Sequence, residues 1–316
     1  MVPALPRRKR YETQALSVFL ALVGMVIGLS ILTPHFLTAE NIFSVIRNFS
    51  FVAILAIGET LTILTAGIDL SVGSVLGLSG CLAALAMHSG WPDGVAVIFG
   101  LASGTALGLL NGVLITGLKL APFIVTLGML SIARGLAYVV TKGWPISGFS
   151  DSFMFLGQGS LWAIPVPVII MVAFALAMGV LLNHTVWGRQ LYAIGGNEEA
   201  ARLSGVRVST VKILAYTLSG FSAALTGILL MARLGVSQSV AGQGYELDAI
   251  AASVIGGTSL MGGEGTVGGV VIGAAIMGVL RNGLVLLGVS AFWQQVAIGT
   301  VIILAVAVDR LRKKRT

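Results

Sequence analysis

Long apolar runs that carry almost no charge are the feature that most restricts how this chain of 316 residues can fold. An α-helix needs about 20 mostly apolar residues to cross the hydrocarbon core of a bilayer. Ten windows of about that length can be placed, at residues 15–34, 42–66, 71–89, 94–117, 120–140, 163–183, 213–234, 246–262, 266–287 and 291–308. Only 10% of the residues are charged, against about 25% in soluble domains, so most of the surface must face lipid. The sequence therefore predicts an all-α integral membrane protein with about ten transmembrane helices.

The lysines and arginines predict on which side of the membrane each loop lies. Cytoplasmic loops carry an excess of these residues, and an N-terminus on the inside places 14 of the 19 on the cytoplasmic side. Both termini are then cytoplasmic. The predicted organisation is a basic N-terminal segment 1–14, a membrane domain 15–309 with a cytoplasmic loop 184–212, and a basic tail 310–316. Because the basic residues form no single solvated face, nucleic acid is not an expected partner.

The chain lacks the sequence signatures of most enzymes. No glycine is followed by lysine, so a phosphate-binding loop of the G-x-x-x-x-G-K-[ST] type is absent, and with it that route to ATP hydrolysis. No H-E-x-x-H motif occurs, and the single cysteine, Cys81, cannot form an intrachain disulfide. We expect neither a catalytic residue nor a bound metal or other cofactor in this chain.

Among the charged residues at the predicted spans, where an unpaired charge is costly, four are singled out as candidates. Glu59, Arg134 and Arg281 lie inside their windows, and Asp69 lies at a Gly-Ile-Asp-Leu-Ser break. An ion pair between Glu59 and Arg134 or Arg281 is favoured over a proton relay, which normally needs a longer chain of such groups. Asp69 and Ser71 are placed to cap the following helix, with substrate contact as the alternative.

A short polar segment within the loop 184–212 is bounded like a helix at both ends. Asn197 suits the N-cap, Arg202 suits the last turn, and Gly205 suits the left-handed stop. A helix of about seven residues is shorter than the roughly 12–15 that are stable alone in water. The segment is therefore predicted to dock on a soluble partner, and a connector that rests on the bilayer surface is the alternative.

Glycine recurs every four residues at two places, which predicts close packing of helices. The two stripes are Gly100, Gly104, Gly108 and Gly112, and Gly265, Gly269 and Gly273. A weak internal repeat also places a glycine-rich break before a helix that ends in Asn-Gly, once at 65–112 and once at 256–283. Broken helices repeated in two halves are typical of transport pathways. Chance similarity in a glycine-rich chain explains the repeat equally well.

Five motifs in a fixed order resemble one known family. They are Gly-Ile-Asp-Leu-Ser-Val-Gly-Ser at 67–74, Pro-Phe-Ile-Val-Thr-Leu-Gly at 122–128, G-R-x-x-Y-A-I-G-G-N-x-x-A-A-x-x-S-G at 188–205, G-Y-E-L-D-A-I-A-A at 244–252 and G-G-T-S-L-x-G-G-x-G at 256–265. Across about residues 40–309 this set resembles the ribose-type sugar permeases of ATP-binding-cassette (ABC) importers. That group belongs to the superfamily of branched-chain amino acid and ribose permeases.

The resemblance implies a division of labour among several proteins. Two permease chains would enclose a pathway through the cytoplasmic membrane, a binding protein outside would deliver a monosaccharide, and a separate ATP-binding subunit inside would use ATP and Mg²⁺. The coupling helix that fits a groove in the ATPase would comprise Gly195, Gly196, Asn197, Glu198, Glu199, Ala200, Ala201, Arg202, Ser204 and Gly205. The translocation pathway would include Glu59, Asp69, Ser71, Asn111, Thr258, Ser259 and Asn282. The chain would then work by alternating access.

Two residues depart from the pattern of the family, and three other functions stay open. Glu59 stands where similar proteins usually carry methionine, and Arg281 replaces a small polar residue or asparagine. A branched-chain amino-acid permease shares the architecture. A secondary transporter would be driven by protons or sodium through Glu59 and Asp69. A membrane enzyme would need paired catalytic groups within the spans, which the sequence lacks.

Overall fold

The structure is a computed structural model that describes residues 7–313. Residues 1–6 of the predicted N-terminal segment and 314–316 of the predicted tail lie outside the described residues. The helices are α1 (Arg7–Leu32), α2 (Ala39–Leu64), α3 (Val72–His88), α4 (Asp93–Gly117), α5 (Pro122–Thr141), α6 (Asp151–Gln158), α7 (Val166–His184), α8 (Val186–Gly196), α9 (Glu198–Leu203), α10 (Val208–Leu234), α11 (Tyr245–Ile255), α12 (Val267–Leu286) and α13 (Ala291–Lys313). The strands are β1 (Ile146–Ser147), β2 (Ser160–Leu161), β3 (Ile164–Pro165) and β4 (Val236–Ser237).

The predicted all-α membrane architecture is confirmed. Six helices, α2, α4, α5, α7, α10 and α12, are long and apolar enough to cross a bilayer. Shorter apolar helices fill three more of the predicted windows, at Leu16–Leu32, Val72–His88 and Ala291–Leu304. Nine of the ten windows are therefore occupied by apolar helices of 14 residues or more.

The tenth window, 246–262, is helical only in its first half. Its helix, α11, has 11 residues and a length of about 16 Å, roughly half the thickness of the hydrocarbon core. After it the backbone turns irregular, and Gly257 has a φ of 95°, which residues with a side chain rarely adopt. This stretch is the glycine-rich break that the sequence indicated from residue 256, so the predicted window was too long at its C-terminal end.

The helix α10 defines the two ends of the bundle. Its 27 residues span about 40 Å, from Val208 beside α9 to Leu234 beside β4. The strand β4 pairs antiparallel with β1, so we call this the strand end. At the opposite end the backbone N–H of Gly263 donates to the Leu64 carbonyl at 3.0 Å. We call this the loop end, and the α8–α9 segment lies here.

The first and last helices both run between these two ends. Leu29, late in α1, packs on Gly283, late in α12. Gln294, early in α13, lines the same cavity as Arg233 at the strand end. Residues 7–10 and 310–313 therefore lie toward the loop end, as an even number of crossings requires.

The first predicted glycine stripe is confirmed as a seam between α4 and its neighbours. All four glycines of the stripe are buried. A methyl group on Gly108 would overlap the carbonyl oxygen of Tyr216 and crowd Gly220, and one on Gly112 would overlap Ile213, all three on α10. Close approach of backbones is how helices associate in lipid, where no hydrophobic drive acts between them.

The second stripe joins α12 to α11. Gly269 and Gly273 pack against the backbones of Gly256 and Ala252, whereas Gly265 lies before the helix begins. The short helix α11 is thus held by glycine contacts at Ala252 and just past its end, at Gly256. This contact positions the irregular segment that follows α11.

Candidate functional site

The break between α2 and α3 is held by a buried network centred on Asp69. Its Oδ1 accepts hydrogen bonds from the backbone N–H of Ser71 at 3.0 Å and from the Ser71 hydroxyl at 2.5 Å. Its Oδ2 accepts the hydroxyl of Ser219, on α10, at 3.0 Å. Asn111, on α4, donates through Nδ2 to Ser71 Oγ at 3.0 Å. Asp69 thus satisfies the backbone just before α3, whereas the side chain of Ser71 makes no capping bond to that helix.

Glu59 does not form the predicted ion pair with either arginine. Its Oε1 accepts the backbone N–H of Asp69 at 2.9 Å, and its Oε2 has no hydrogen-bond partner among the described residues. Arg281 instead pairs with Asp248 at 2.6 Å. Arg134 donates to the backbone carbonyls of Ser239, Ala241 and Gly73. The prediction was wrong because the spacing of charges along the chain carries no information on which helices are neighbours.

The irregular segment after α11 contacts α8 at the loop end. Tyr192, on α8, donates its hydroxyl to the Gly265 carbonyl at 2.8 Å. A methyl group on Gly195 would overlap both the Leu64 carbonyl oxygen and the backbone nitrogen of Gly263. Gly195 is therefore the point at which α8 touches the end of α2 and the segment before α12 together.

The short polar helix predicted from the sequence is confirmed as α9. Asn197 Oδ1 accepts the backbone N–H of Ala200 at 2.9 Å, which is the predicted N-cap. Gly205 follows the helix with a φ of 83°, as expected for a left-handed stop. Ala201 is buried against the rest of the protein, while Leu203 is 82% exposed. One face of α9 is thus packed, and the other presents an apolar side chain outward.

One ion pair fixes α9 against α10, and a second lies within α9. Glu198 lies 2.6 Å from Lys212 of α10 and 2.9 Å from Arg202. The hydrogen bond from Lys212 is the main reason why the pKa of Glu198 is lowered from 4.5, and the charges of Lys212 and Arg202 add to it. Arg202 also lies 3.8 Å from Glu199. The predicted coupling segment therefore comprises the end of α8 and the whole of α9.

A cavity of about 710 Å³, lined by apolar as well as charged and amide side chains, opens near the strand end between α2, α10, α11, α12 and α13, and we call it the polar cavity after those polar groups. The Asp248–Arg281 pair lies in its wall, where the side chain of Asp248 is 2% exposed and that of Arg281 is 44% exposed. Asn282 exchanges two hydrogen bonds with Asn41, at 2.7 and 3.0 Å. Arg233 at the end of α10 also lines the cavity. A charged side chain at a membrane span faces water or another protein rather than lipid.

The seven predicted pathway residues fall into three groups. Glu59, Asp69, Ser71 and Asn111 form the buried network, and Asn282 lines the polar cavity. Thr258 and Ser259 lie in the irregular segment after α11. The six apart from Asn282 are at most 1% exposed in this single chain. Their place on a translocation pathway stays a prediction.

No group of three or more histidine, cysteine, aspartate or glutamate side chains that could hold a metal ion occurs among residues 7–313.

Comparison with known proteins decides the family. Residues 41–306 match the family described as branched-chain amino acid transport system, permease component. The chain belongs to this permease family. The ribose import permease protein RbsC of Bacillus subtilis (strain 168) is 49% identical to this permease, over 94% of it and 93% of that relative. The D-allose transport system permease protein AlsC of Escherichia coli (strain K12) is 42% identical, over 93% of the permease and 90% of that relative.

A solved structure agrees with the fold of the permease. A metal-chelate type ABC transporter in an inward-facing conformation matches it with a TM-score of 0.50 at 20% identity. The match covers 86% of the permease and 89% of that chain, and it bears on the fold alone. Family membership and six long apolar helices make this permease a multi-pass membrane protein.

Sequence reasoning found Arg281 and Asn282 but missed other polar residues that line the cavity of the permease. Asp248 and Arg233 were not among the candidate residues. Asp248 lies within a motif that resembles the family, and it is the acidic residue buried on α11. A charged residue within a predicted span was the signal that could have found it.

Proposed function

We propose that this permease is the membrane subunit of an ABC importer that carries a ribose-like monosaccharide across the cytoplasmic membrane. The observation that carries the proposal is α9, a capped helix of six residues that is braced on the permease and presents an exposed apolar side chain. Because this chain has no phosphate-binding loop, the energy of ATP hydrolysis must reach it through a contact with a partner that hydrolyses ATP. The related ribose and D-allose permeases support a sugar as the cargo.

The distribution of positive charge supports an orientation with α9 and both termini in the cytoplasm. Of the 19 lysines and arginines, 14 lie in segments that this orientation places inside, as the positive-inside rule requires. The binding protein then docks at the strand end. Sugar enters the polar cavity from there.

The coupling step runs from α9 through α8 to the two points at which helical spans are interrupted, the end of α2 and the irregular segment between α11 and α12. The partner ATPase, which uses ATP and Mg²⁺, binds α9 at Leu203 and Arg202, both of which are exposed. Movement of α9 displaces α8, and Gly195 transmits this to Leu64 and Gly263, against which it packs. A small displacement is amplified when packed elements have two discrete arrangements. The ends of α2 and α12 would then shift together.

The open side of the polar cavity supports a pathway shared between two permease chains. Arg281 is half exposed there, and lipid is an unfavourable neighbour for its charge. A second permease chain that faces this opening would enclose an aqueous route. The buried network around Asp69 and the segment with Thr258 and Ser259 would line the route in the state that opens inward.

Reconstituted uptake tests this proposal. The permease is placed in liposomes with its ATPase and binding protein, and ATP-driven uptake of radiolabelled ribose is measured with leucine, D-allose or unlabelled ribose as competitor. We expect uptake that requires ATP and both partners and that is reduced by the sugars but not by leucine. Competition by leucine, or steady uptake by the permease alone on a proton or sodium gradient, would overturn the proposal.

A further inference from the structure

A second cleft, lined by basic side chains, lies at the loop end between the α4–α5 turn and the α9–α10 junction. Its volume is about 660 Å³. The charged residues that line it are Lys119, Glu198, Arg202, Arg207 and Lys212. We call this the basic cleft. Four cations thus face one carboxylate, and the cleft as a whole is positive.

Two of the four cations are free to bind a ligand. Glu198 is already shared between Lys212 and Arg202. The side chains of Lys119 and Arg207 make no hydrogen bond or ion pair with any described residue, and both residues are exposed. The hydroxyl-bearing residues Ser209 and Thr210, in the first turn of α10, line the same cleft, and no described side chain caps that helix. Arginine, lysine, hydroxyls and free helix N–H groups together are the donors that a phosphate group takes.

An exposed apolar strip continues directly from the basic cleft toward the middle of the membrane. Thr116 and Thr210 line the cleft, and Val113 and Leu214 follow them on the same helix faces, one turn further in. These two side chains are 45% and 38% exposed. The two helices that carry these side chains touch where Gly112 meets Ile213. Gly112 immediately precedes Val113, and Ile213 immediately precedes Leu214.

The strip is therefore a continuous apolar surface on the seam between α4 and α10, and Leu110, 44% exposed, extends it by another turn. Positive charge at the membrane boundary, with the apolar strip next to it, is complementary to a molecule that carries a phosphate group at one end and hydrocarbon chains at the other. We propose that the basic cleft binds the headgroup of an anionic phospholipid, whose acyl chains lie along Leu110, Val113 and Leu214.

The location of the cleft gives the lipid a contact with the coupling segment. Arg202 and Glu198 belong to α9, and Lys212 belongs to α10. A phosphate group bound among these side chains joins α9 to the α4–α5 turn through Lys119. Membrane charge thereby stabilises the position of α9 before any partner binds.

Lipid retention measured by native mass spectrometry tests the proposal and needs neither a partner nor transport. The permease is exchanged into mixed micelles of phosphatidylglycerol and phosphatidylcholine, and the lipids retained per chain are counted. We expect one phosphatidylglycerol to be retained in preference to phosphatidylcholine. Each lysine or arginine near an anionic lipid raises the affinity about fivefold. The double variant Lys119→Gln with Arg207→Gln should therefore retain phosphatidylglycerol with about 25-fold lower affinity.

Two variants serve as controls for that measurement. Lys142 is exposed and ends α5 with the same left-handed backbone that Lys119 adopts after α4, at φ 53° and 54°, but it lies at the strand end. Lys142→Gln should retain phosphatidylglycerol like the wild type. Exchanging the two cations, Lys119→Arg with Arg207→Lys, should also preserve retention because both charges remain.

Two results would overturn the lipid site. One is equal retention of phosphatidylglycerol by the wild type and by the variant with two glutamines. The other is wild-type permease that holds phosphatidylcholine as tightly as phosphatidylglycerol, which would assign the cleft to an acidic protein surface instead. Neither result depends on whether the permease carries a sugar.

Discussion

Replacing Gly195 with alanine should disconnect the coupling segment from the end of α2 and from the irregular segment before α12, while leaving the permease folded. The added methyl group would overlap the Leu64 carbonyl oxygen and the backbone nitrogen of Gly263. Both are backbone atoms, so no side chain can move aside to accept it. The helix α8 must therefore lift away from the bundle at this point.

The size of the effect follows from two contributions. Inserting a methyl group into a packed contact typically costs about 1–3 kcal/mol. Separation of α8 also disturbs the hydrogen bond from Gly263 to Leu64, which measures 3.0 Å and contributes about 0.5–1.5 kcal/mol. The docked arrangement loses about 2–4 kcal/mol in total, which is a change of about 30-fold to 900-fold in its population.

Gly196→Ala is the matched control, since the neighbouring position has no atom within 4 Å of an added methyl group. In liposomes with the ATPase and the binding protein, we expect ATP-driven ribose uptake by this control to equal that of the wild type. Uptake by Gly195→Ala should fall at least tenfold. Size-exclusion chromatography and thermal unfolding should show that both variants are equally folded.

Equal uptake by the two glycine variants would refute the assigned role of the Gly195 contact. The same conclusion would follow if Gly195→Ala lost uptake only in proportion to the folded protein that remains. Uptake that is lost while the variant stays folded and still binds the ATPase would support transmission through this contact.

Three further predictions concern the buried polar groups and α9. Asp69→Ala leaves the N–H and hydroxyl of Ser71 without their acceptor, so the free energy of unfolding should fall by about 2–4 kcal/mol; a thermal midpoint equal to that of the wild type would contradict this. Arg281→Asn leaves the buried Asp248 without its partner and should destabilise by about 3–5 kcal/mol. Replacing both with asparagine should recover most of that loss, and no recovery would argue against a pair. The lowered pKa of Glu198 means that its pairing stabilises α9 above pH 4.5 and is lost as the pH falls through the lower folded value. A spin label on α9 should therefore gain mobility below that pH in the wild type but not in Glu198→Gln, where a similar gain would speak against the pairing.

Local patterns predicted the parts of the fold that depend on a few neighbouring residues. Windows of apolar residues located the long spans, because the membrane fixes the length of a crossing helix. Asn197 and Gly205 bounded α9 correctly, since capping is decided by the residues at each end. The stripe from Gly100 to Gly112 indicated close packing, although it could not name α10 as the main partner.

The pairing of charges was not predictable, because it depends on which helices meet. Glu59 and Arg134 both lie within spans, yet Glu59 accepts from a backbone N–H and Arg134 donates to backbone carbonyls. A glycine-rich break from residue 256 was indicated by the sequence, yet the window 246–262 was still predicted as one span, whereas α11 stops at Ile255. The residues beyond it are mostly glycine and polar residues, and Gly257, Gly262 and Gly263 adopt the positive φ with which the backbone leaves the helix.

The glycine seam between α4 and α10 has a mechanical consequence for transport. Backbones that touch along about three turns cannot slide past each other without collision, and separating them would lose this packing, so we expect these two helices and α3 to move as one block. We then expect changes of shape to concentrate in the unwound stretches at 65–71 and 256–266. The contact between α4 and α10 would then persist through each transport cycle, and conformational strain would be confined to these two short segments.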